Sequence, residues 1–150
     1  MSSVPRVPLL LAVAGLLPFL WSVATHFNGA LYDWSTAHLG SRFVAPYLQL
    51  SYGTVILAFM SGVLWGFATK AGGTKAAVAY ALSVLPALWA FFMVGGGPVA
   101  AATNLVFGFL GLLLLDACFQ MWSLAPRWWL ALRVPMSAVV IACLSVEAFL

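Results

Sequence analysis

Residues 99–120 read VAAATNLVFGFLGLLLLDACFQ and contain one charged residue, Asp116. A helix that crosses the hydrocarbon core of a bilayer needs about 20 predominantly apolar residues. The apolar residues run continuously here, whereas the strands of a membrane β-barrel alternate apolar and polar positions. Lipid offers no partners for backbone amides, so such a segment is expected to satisfy its own hydrogen bonds as a helix. The stretch therefore predicts a transmembrane helix.

The composition of the whole chain agrees with a membrane setting. Of its 150 residues, 65% are hydrophobic and 6% are charged, whereas a soluble domain carries about 25% charged residues. Similar apolar runs recur along the chain. They predict an all-α integral membrane bundle of five transmembrane helices, one domain over residues 1–150, with helices at 7–25, 50–68, 76–94, 99–120 and 128–150. Residues 26–47 are expected to form an outer loop along the membrane interface.

The first run has a second interpretation, a signal peptide cleaved after Ser22-Val23-Ala24. Its basic region consists of Arg6 alone and its apolar stretch exceeds the usual length, so a retained helix is favoured. Three proline residues fall inside predicted helices and are expected to interrupt them, because proline removes a backbone donor. These are Pro18, Pro86 and Pro135.

The basic residues predict the orientation of the chain. Short loops rich in Lys and Arg stay on the cytoplasmic side. Arg42 is expected at one end of the bundle, and the opposite end carries Arg6, Lys70, Lys75, Arg127 and Arg133. The N-terminus is therefore predicted inside and the C-terminus outside. Tryptophan side chains favour the headgroup layer, and five of them fall near predicted helix ends: Trp21, Trp34, Trp122, Trp128 and Trp129.

Asp116 is the charged residue of predicted helix 4, and Arg133 is the basic residue of predicted helix 5. Each lies about a turn and a half from the short loop that joins the helices, so the two reach similar depth. Charged side chains at membrane depth usually pair, and we expect an Asp116–Arg133 ion pair. Its simplest role is a structural clamp, with Arg133 reaching toward water. The other interpretations are binding of a lipid headgroup and gating of a proton path.

Predicted helix 2 carries small residues at every fourth position, namely Thr54, Ala58, Gly62 and Gly66. Small residues at this spacing let another helix approach closely. The face could be filled by helices of the same chain or could bind another subunit.

The remaining polar residues indicate no catalytic site. His26, Asp33 and His38 share the predicted outer loop, but their spacing matches no compact metal-ligand motif. Glu147 is expected to be solvated at a helix end. Cys118 and Cys143 lack redox spacing, and nucleotide-binding and hydrolase motifs are absent from the sequence. No enzyme activity, metal or other cofactor is predicted. The six scattered basic residues also give no nucleic-acid patch.

Several segments resemble a small family of unknown function that includes transmembrane protein 69 of mitochondria and many proteobacterial proteins. The segments are SYGTVILAFMSGVLWG at 51–66, Ser83-Val84-Leu85-Pro86, Leu114-Leu115-Asp116, and Ala125-Pro126-Arg127-Trp128-Trp129-Leu130 with Leu132-Arg133. The resemblance extends from Pro8 onward and implies a retained first helix, five helices and an inner-membrane location, but no catalytic activity. This chain has Leu64 where relatives often have His or Arg. The lack of an Arg- and Ser-rich presequence fits a bacterial member.

Together these features predict a non-catalytic protein of the bacterial inner membrane. Its expected role is that of an accessory subunit or assembly factor of a larger bioenergetic complex, with the bilayer and neighbouring subunits as partners. The alternative is a small oligomeric transporter or channel that uses Asp116 and Arg133, and an intramembrane enzyme is third.

Overall fold

A computed structural model describes residues 3–150, and the regular secondary structure in that range is helical. Five helices are long and apolar enough to cross a membrane, so the prediction of a multi-pass, five-helix protein is confirmed. We number them in chain order as spans 1 to 5: Arg6–Phe27, Tyr47–Ala68, Gly73–Met93, Pro98–Met121 and Trp129–Phe149.

Spans 1 and 3 each consist of two helices separated by one residue. The helices of the chain are α1 (Arg6–Gly15) and α2 (Leu17–Phe27) in span 1, α3 (Gly29–His38), α4 (Tyr47–Ala68, span 2), α5 (Gly73–Ser83) and α6 (Leu85–Met93) in span 3, α7 (Pro98–Met121, span 4) and α8 (Trp129–Phe149, span 5). Pro18 and Pro86 occupy the first turns of α2 and α6, where their missing N–H is tolerated. The third expected interruption is wrong, because α8 continues through Pro135.

Ser61 of span 2 binds to the backbone at the break in span 3. Its hydroxyl donates to the carbonyl oxygen of Ser83 and accepts from the amide of Ala87 at 3.2 Å. Ser61 is 4% exposed. A proline frees backbone groups of its helix, and in a membrane those groups need new partners. One hydroxyl from a neighbouring helix therefore supplies both a donor and an acceptor at the break.

The connection between spans 1 and 2 is partly helical. Helix α3 begins after Asn28, whose side chain accepts a hydrogen bond from the amide of Leu31 at 3.1 Å, as an N-cap does. A single 3₁₀ turn, Ser41–Phe43, follows it. The sequence prediction of a loop over 26–47 overlooked this short helix. Trp34 on α3 is 49% exposed.

Span 4 packs along span 5 and also contacts spans 2 and 3. Its inward line of residues includes Ala101, Leu105, Gly108, Leu112 and Phe119. A Cβ atom on Gly108 would lie 2.8 Å from side-chain carbons of both Leu57 and Trp89, so glycine lets spans 2 and 3 approach span 4 closely.

Helix α1 is the least packed part of the bundle. It contains no buried residue, whereas α2 buries Phe19, Ser22 and Thr25. Span 1 thus joins the bundle through its second half, while its first half leaves space beside spans 2 and 5.

Two lysines, one just after span 2 and one in the first turn of span 3, bind the loop between spans 4 and 5. Lys70 Nζ donates to the carbonyl oxygen of Leu124 at 3.3 Å, and Lys75 Nζ donates to that of Trp122 at 3.0 Å. Cations are favourable beside the free carbonyls at the end of a helix. The loop between spans 2 and 3 is therefore held against the loop between spans 4 and 5.

Candidate functional site

Asp116 and Arg133 meet between spans 4 and 5. Arg133 Nε donates to Asp116 Oδ2 at 3.0 Å. Asp116 is fully buried and Arg133 is 8% exposed. Helix rise places both charges roughly 6–9 Å from the span ends that meet at the connecting loop. The structure thus brings together the two residues that were predicted from the sequence to pair. Pairing lowers the free-energy cost of holding either charge in lipid.

Trp129 is the third member of this cluster. Its Nε1 donates to Asp116 Oδ1 at 2.8 Å, and its ring centre lies 6.0 Å from Arg133 Cζ. Both carboxylate oxygens of Asp116 therefore have a donor. Trp129 is 7% exposed, so its ring packs inside the bundle at the start of span 5. The indole turns inward because it lies one helical turn before Arg133, on the same face of α8.

The guanidinium of Arg133 stays inside the bundle. Its Nη2 atom is buried and makes no hydrogen bond with the described residues, 3–150. An arginine near a helix end is expected to extend its guanidinium toward water. Nη2 does not reach water. The cluster therefore keeps a donor that the protein itself does not satisfy.

Ser137 lies one turn further along the same face of span 5. It is 1% exposed, and its hydroxyl likewise makes no hydrogen bond within the described part of the chain. Trp129, Arg133 and Ser137 are spaced by four residues, which places them on one helix face. The sequence interpretation overlooked Ser137, although this spacing from Arg133 would have identified it.

A half-open cavity of about 610 Å³ lies beside this face of span 5. Span 1 contributes Leu11 and Gly15 to its wall, and span 2 contributes Ile56. Arg133 and Ser137 line the cavity from span 5. The space exists because α1 buries no residue against its neighbours, and no pattern in the sequence predicted it.

The small-residue face of span 2 points largely away from the bundle. Thr54 is half-buried, while Ala58, Gly62 and Gly66 are exposed. Steps of four residues turn about 40° beyond a full circle in a helix with 3.6 residues per turn, so the line drifts from the side of span 3 toward the lipid. No atom outside their own local backbone comes within 4 Å of a Cβ built on Gly62 or Gly66. Packing by helices of the same chain is therefore wrong for these glycines.

His26, Asp33 and His38 do not assemble into a metal site. Within residues 3–150, no three His, Cys, Asp or Glu side chains come together in a way that could hold a metal ion. His38 Nδ1 lies 2.9 Å from the carbonyl oxygen of Trp34, and Asp33 is exposed.

His26 and Glu147 form a contact between spans 1 and 5. His26 Nδ1 lies 2.8 Å from Glu147 Oε1, and the glutamate side chain is 8% exposed. The expectation of a solvated acid at position 147 is therefore wrong. Despite this short distance, Glu147 Oε1 makes no hydrogen bond with the described residues, because a hydrogen bond also requires alignment of the donor N–H.

Comparison with known proteins gives a family of unknown function. The family model described as "Protein of unknown function (DUF3429)" matches residues 4–149. No curated protein and no solved structure matches the chain. The geometry described above is therefore the basis for any functional assignment.

Proposed function

We propose, from the premise that this chain belongs to the DUF3429 family of proteins of unknown function, that it is a non-catalytic membrane protein that binds another membrane subunit. In this proposal it serves as an accessory subunit or assembly factor of a larger bioenergetic complex. The observation that carries the proposal is the small-residue face of span 2. Its glycines at 62 and 66 are exposed and leave room for close approach by a second helix.

The charged cluster supports a structural role for Asp116 and Arg133. Asp116 is fully buried, and both of its oxygens accept hydrogen bonds from span 5. A carboxylate that relays protons or contacts a solute has to be reached by water or by that solute. A clamp needs only the contacts described, which favours the accessory role over transport.

The proposal includes an orientation and a membrane. The N-terminus lies inside and the C-terminus outside, because Lys70 and Lys75 share one end of the bundle with Arg127 and such ends stay cytoplasmic. The membrane is the bacterial inner membrane. Relatedness to transmembrane protein 69 of mitochondria, suggested by the segments quoted above, is part of the same proposal.

Blue-native electrophoresis with mass spectrometry, after extraction in mild detergent, tests the accessory role. We expect the wild-type chain to migrate within a larger hetero-oligomeric assembly. Gly62→Leu fills the small-residue face and should release the chain from that assembly. Gly111→Leu is the matched control, because this glycine of span 4 also has no neighbour within 4 Å of its Cβ position.

Migration of the wild-type chain as a bare monomer would contradict the proposal. So would equal retention of the Gly62→Leu and wild-type chains. A homo-oligomer whose solute flux collapses on Asp116→Asn would replace the accessory role with the transport alternative.

A further inference from the structure

The cavity beside span 5 is a groove that begins at the basic end of the bundle. Val7 of span 1 and Trp128, just before span 5, line the groove at that end, and Phe19 and Val140 line it furthest along the same two spans. Positions 7 and 19, like positions 128 and 140, are twelve residues apart, so helix rise gives a length of about 18 Å. The hydrocarbon core is about 30 Å thick. The groove therefore extends from one membrane surface to slightly past the centre of the bilayer.

The wall of this groove is apolar. Arg133 and Ser137 belong to the wall, but they are 8% and 1% exposed, and their unpartnered atoms are buried. Most of the wall consists of aliphatic and aromatic side chains, such as those of Leu11, Ile56 and Phe59. Leu11 and Phe59 are 68% and 61% exposed, so the groove is open to the surrounding lipid. A wall of this kind accepts a hydrocarbon chain and disfavours a polar solute.

Two arginines flank the end of the groove that lies at the membrane surface. Arg6 directly precedes Val7, which lines the groove. Arg127 stands between two residues of the wall, Pro126 and Trp128. Both arginines are exposed, and an arginine can extend its guanidinium into the headgroup layer while its stem rests on apolar surface. The mouth of the groove is therefore positively charged.

The positive charge at this end is not compensated by the protein. Within residues 3–150, Asp116 is paired with Arg133, and the other two acidic residues, Asp33 and Glu147, lie toward the opposite end. The two lysines that bind the loop between spans 4 and 5 add to the positive charge of the basic end. Basic residues at a membrane surface attract anionic lipids. The charge at the mouth of the groove is thus complementary to an anion.

We propose that the groove binds one acyl chain of an anionic phospholipid, whose phosphate lies between Arg6 and Arg127. A phospholipid carries an anionic group at the surface and a hydrocarbon chain below it, in the same order as the arginines and the apolar wall. The phosphate stays at the interface, so no charge has to enter the hydrocarbon core. A zwitterionic headgroup carries an additional cation, which the basic residues repel. The proposal goes beyond the accessory role and does not depend on the small-residue face of span 2.

Native mass spectrometry of the purified full chain in detergent tests this preference. The probes are phosphatidylglycerol and phosphatidylcholine with identical acyl chains, titrated separately. A basic residue near the headgroup contributes about fivefold to the binding of an anionic lipid, which corresponds to about 1 kcal/mol. We therefore expect the wild-type chain to bind phosphatidylglycerol at least tenfold more tightly than phosphatidylcholine.

Variants of the two arginines test the headgroup contact. The double change Arg6→Gln/Arg127→Gln should weaken the binding of phosphatidylglycerol at least tenfold and leave that of phosphatidylcholine nearly unchanged. Both positions are exposed, so the fold should remain intact, as checked by thermal unfolding. Arg42→Gln is the matched control, because Arg42 is also exposed but lies in the connection between spans 1 and 2, at the opposite end. It should keep the preference of the wild type.

Two variants of α1 test the acyl-chain contact. Ala12 lines the groove, and Ala12→Phe should weaken the binding of phosphatidylglycerol at least tenfold by filling it. Ala14→Phe places the same side chain on an exposed position of the same helix outside the groove lining and should bind as the wild type does. Neither change touches a buried residue, since α1 contains none.

Equal binding of the two lipids by the wild type would overturn the proposal, and so would a preference that survives the double arginine change or Ala12→Phe. Glycerol 3-phosphate provides a second arm, because it carries a phosphate without acyl chains and should not displace phosphatidylglycerol. Displacement by glycerol 3-phosphate would assign the arginines to a soluble phosphate ester instead. A lipid-free homo-oligomer that Ala12→Phe dissociates would also contradict the proposal, since the groove would then be an interface between copies of this chain.

Discussion

Asp116 is held by two donors from one helix face, and both come from span 5. Arg133 Nε and Trp129 Nε1 lie 3.0 Å and 2.8 Å from its oxygens. At membrane depth, removing one charge of such a pair leaves the other uncompensated, and breaking a buried pair typically costs about 3–5 kcal/mol. The side chain of position 116 therefore determines how firmly the last two spans associate.

We predict that Asp116→Asn lowers the unfolding free energy by about 3–5 kcal/mol, because it leaves the buried guanidinium of Arg133 without a counter-charge. The measurement is reversible unfolding in mixed detergent micelles. Asp33→Asn is the matched control, since Asp33 is exposed and its change should stay within about 0.5 kcal/mol.

The double variant Asp116→Leu/Arg133→Met should recover most of that loss, because a buried ion pair can often be replaced by apolar residues. Some loss should remain, since the indole N–H of Trp129 then has no acceptor. Exchanging the charges at positions 116 and 133 should restore only part of the lost unfolding free energy, for the same reason. Equal stability of Asp116→Asn and wild type would show that the pair contributes nothing.

The pair was predictable from the sequence, and the rest of its environment was not. Asp116 and Arg133 stand at similar depth in two helices joined by a short loop, so pairing follows from helix geometry alone. Trp129 and Ser137 share the face of Arg133 at four-residue spacing, a signal that was available. The cavity depends on how α1 packs, which tertiary contacts decide.

At the scale of single helices, prolines have different consequences in different spans. Pro86 begins the second half of span 3, whereas Pro135 lies within a continuous span 5. The sequence identifies the proline that lacks a backbone N–H. It does not identify the neighbouring residue that hydrogen-bonds the freed backbone groups. In span 3 that neighbour is Ser61, which binds the backbone of Ser83 and Ala87.

We predict that Ser61→Ala destabilises the protein by about 1–3 kcal/mol, because two buried backbone groups lose their partner. Unfolding in detergent measures the change, and Ser51→Ala on the exposed side of the same helix is the control. In a Pro86→Ala background the cost should shrink, since span 3 can then close its own hydrogen bonds. An undiminished cost in that background would contradict this account of the break.

The long helices were the most predictable elements because each is a continuous apolar run between glycine, proline or charged residues. Helix α3 was missed because its sequence, GALYDWSTAH, is short and mixed in polarity. Its start depends on one capping residue, Asn28, and single caps are weaker signals than a run of twenty apolar residues.

For the whole molecule, the proposed orientation makes a direct prediction. In a chain with Cys118→Ala and Cys143→Ala, Ala37→Cys on α3 should react with a membrane-impermeant maleimide added outside intact spheroplasts. Thr74→Cys, in the first turn of α5 at the basic end, should react only after lysis. Both positions are exposed, so accessibility on the correct side is the deciding factor. The reverse pattern of labelling would invert the orientation.

Packing also differs across the molecule. Span 5 is the span that its neighbours bury most. Of the residues in its most apolar segment, 39% are buried, compared with 11% in span 1. Contacts between spans 4 and 5 therefore carry much of the tertiary structure, while α1 stands partly apart. Hydropathy alone gives no such ranking, because all five spans are similarly apolar.

The pairing of Asp116 with two residues of span 5 has a consequence for biosynthesis. The ribosome delivers Asp116 before either of its donors, so span 4 entering the bilayer alone carries an uncompensated carboxylate, at a cost of up to about 3 kcal/mol near the centre. We expect spans 4 and 5 to leave the translocon together, as a helical hairpin. A nascent chain truncated before span 5 should integrate span 4 less efficiently than the same chain with Asp116→Leu, and equal integration would argue for stepwise entry.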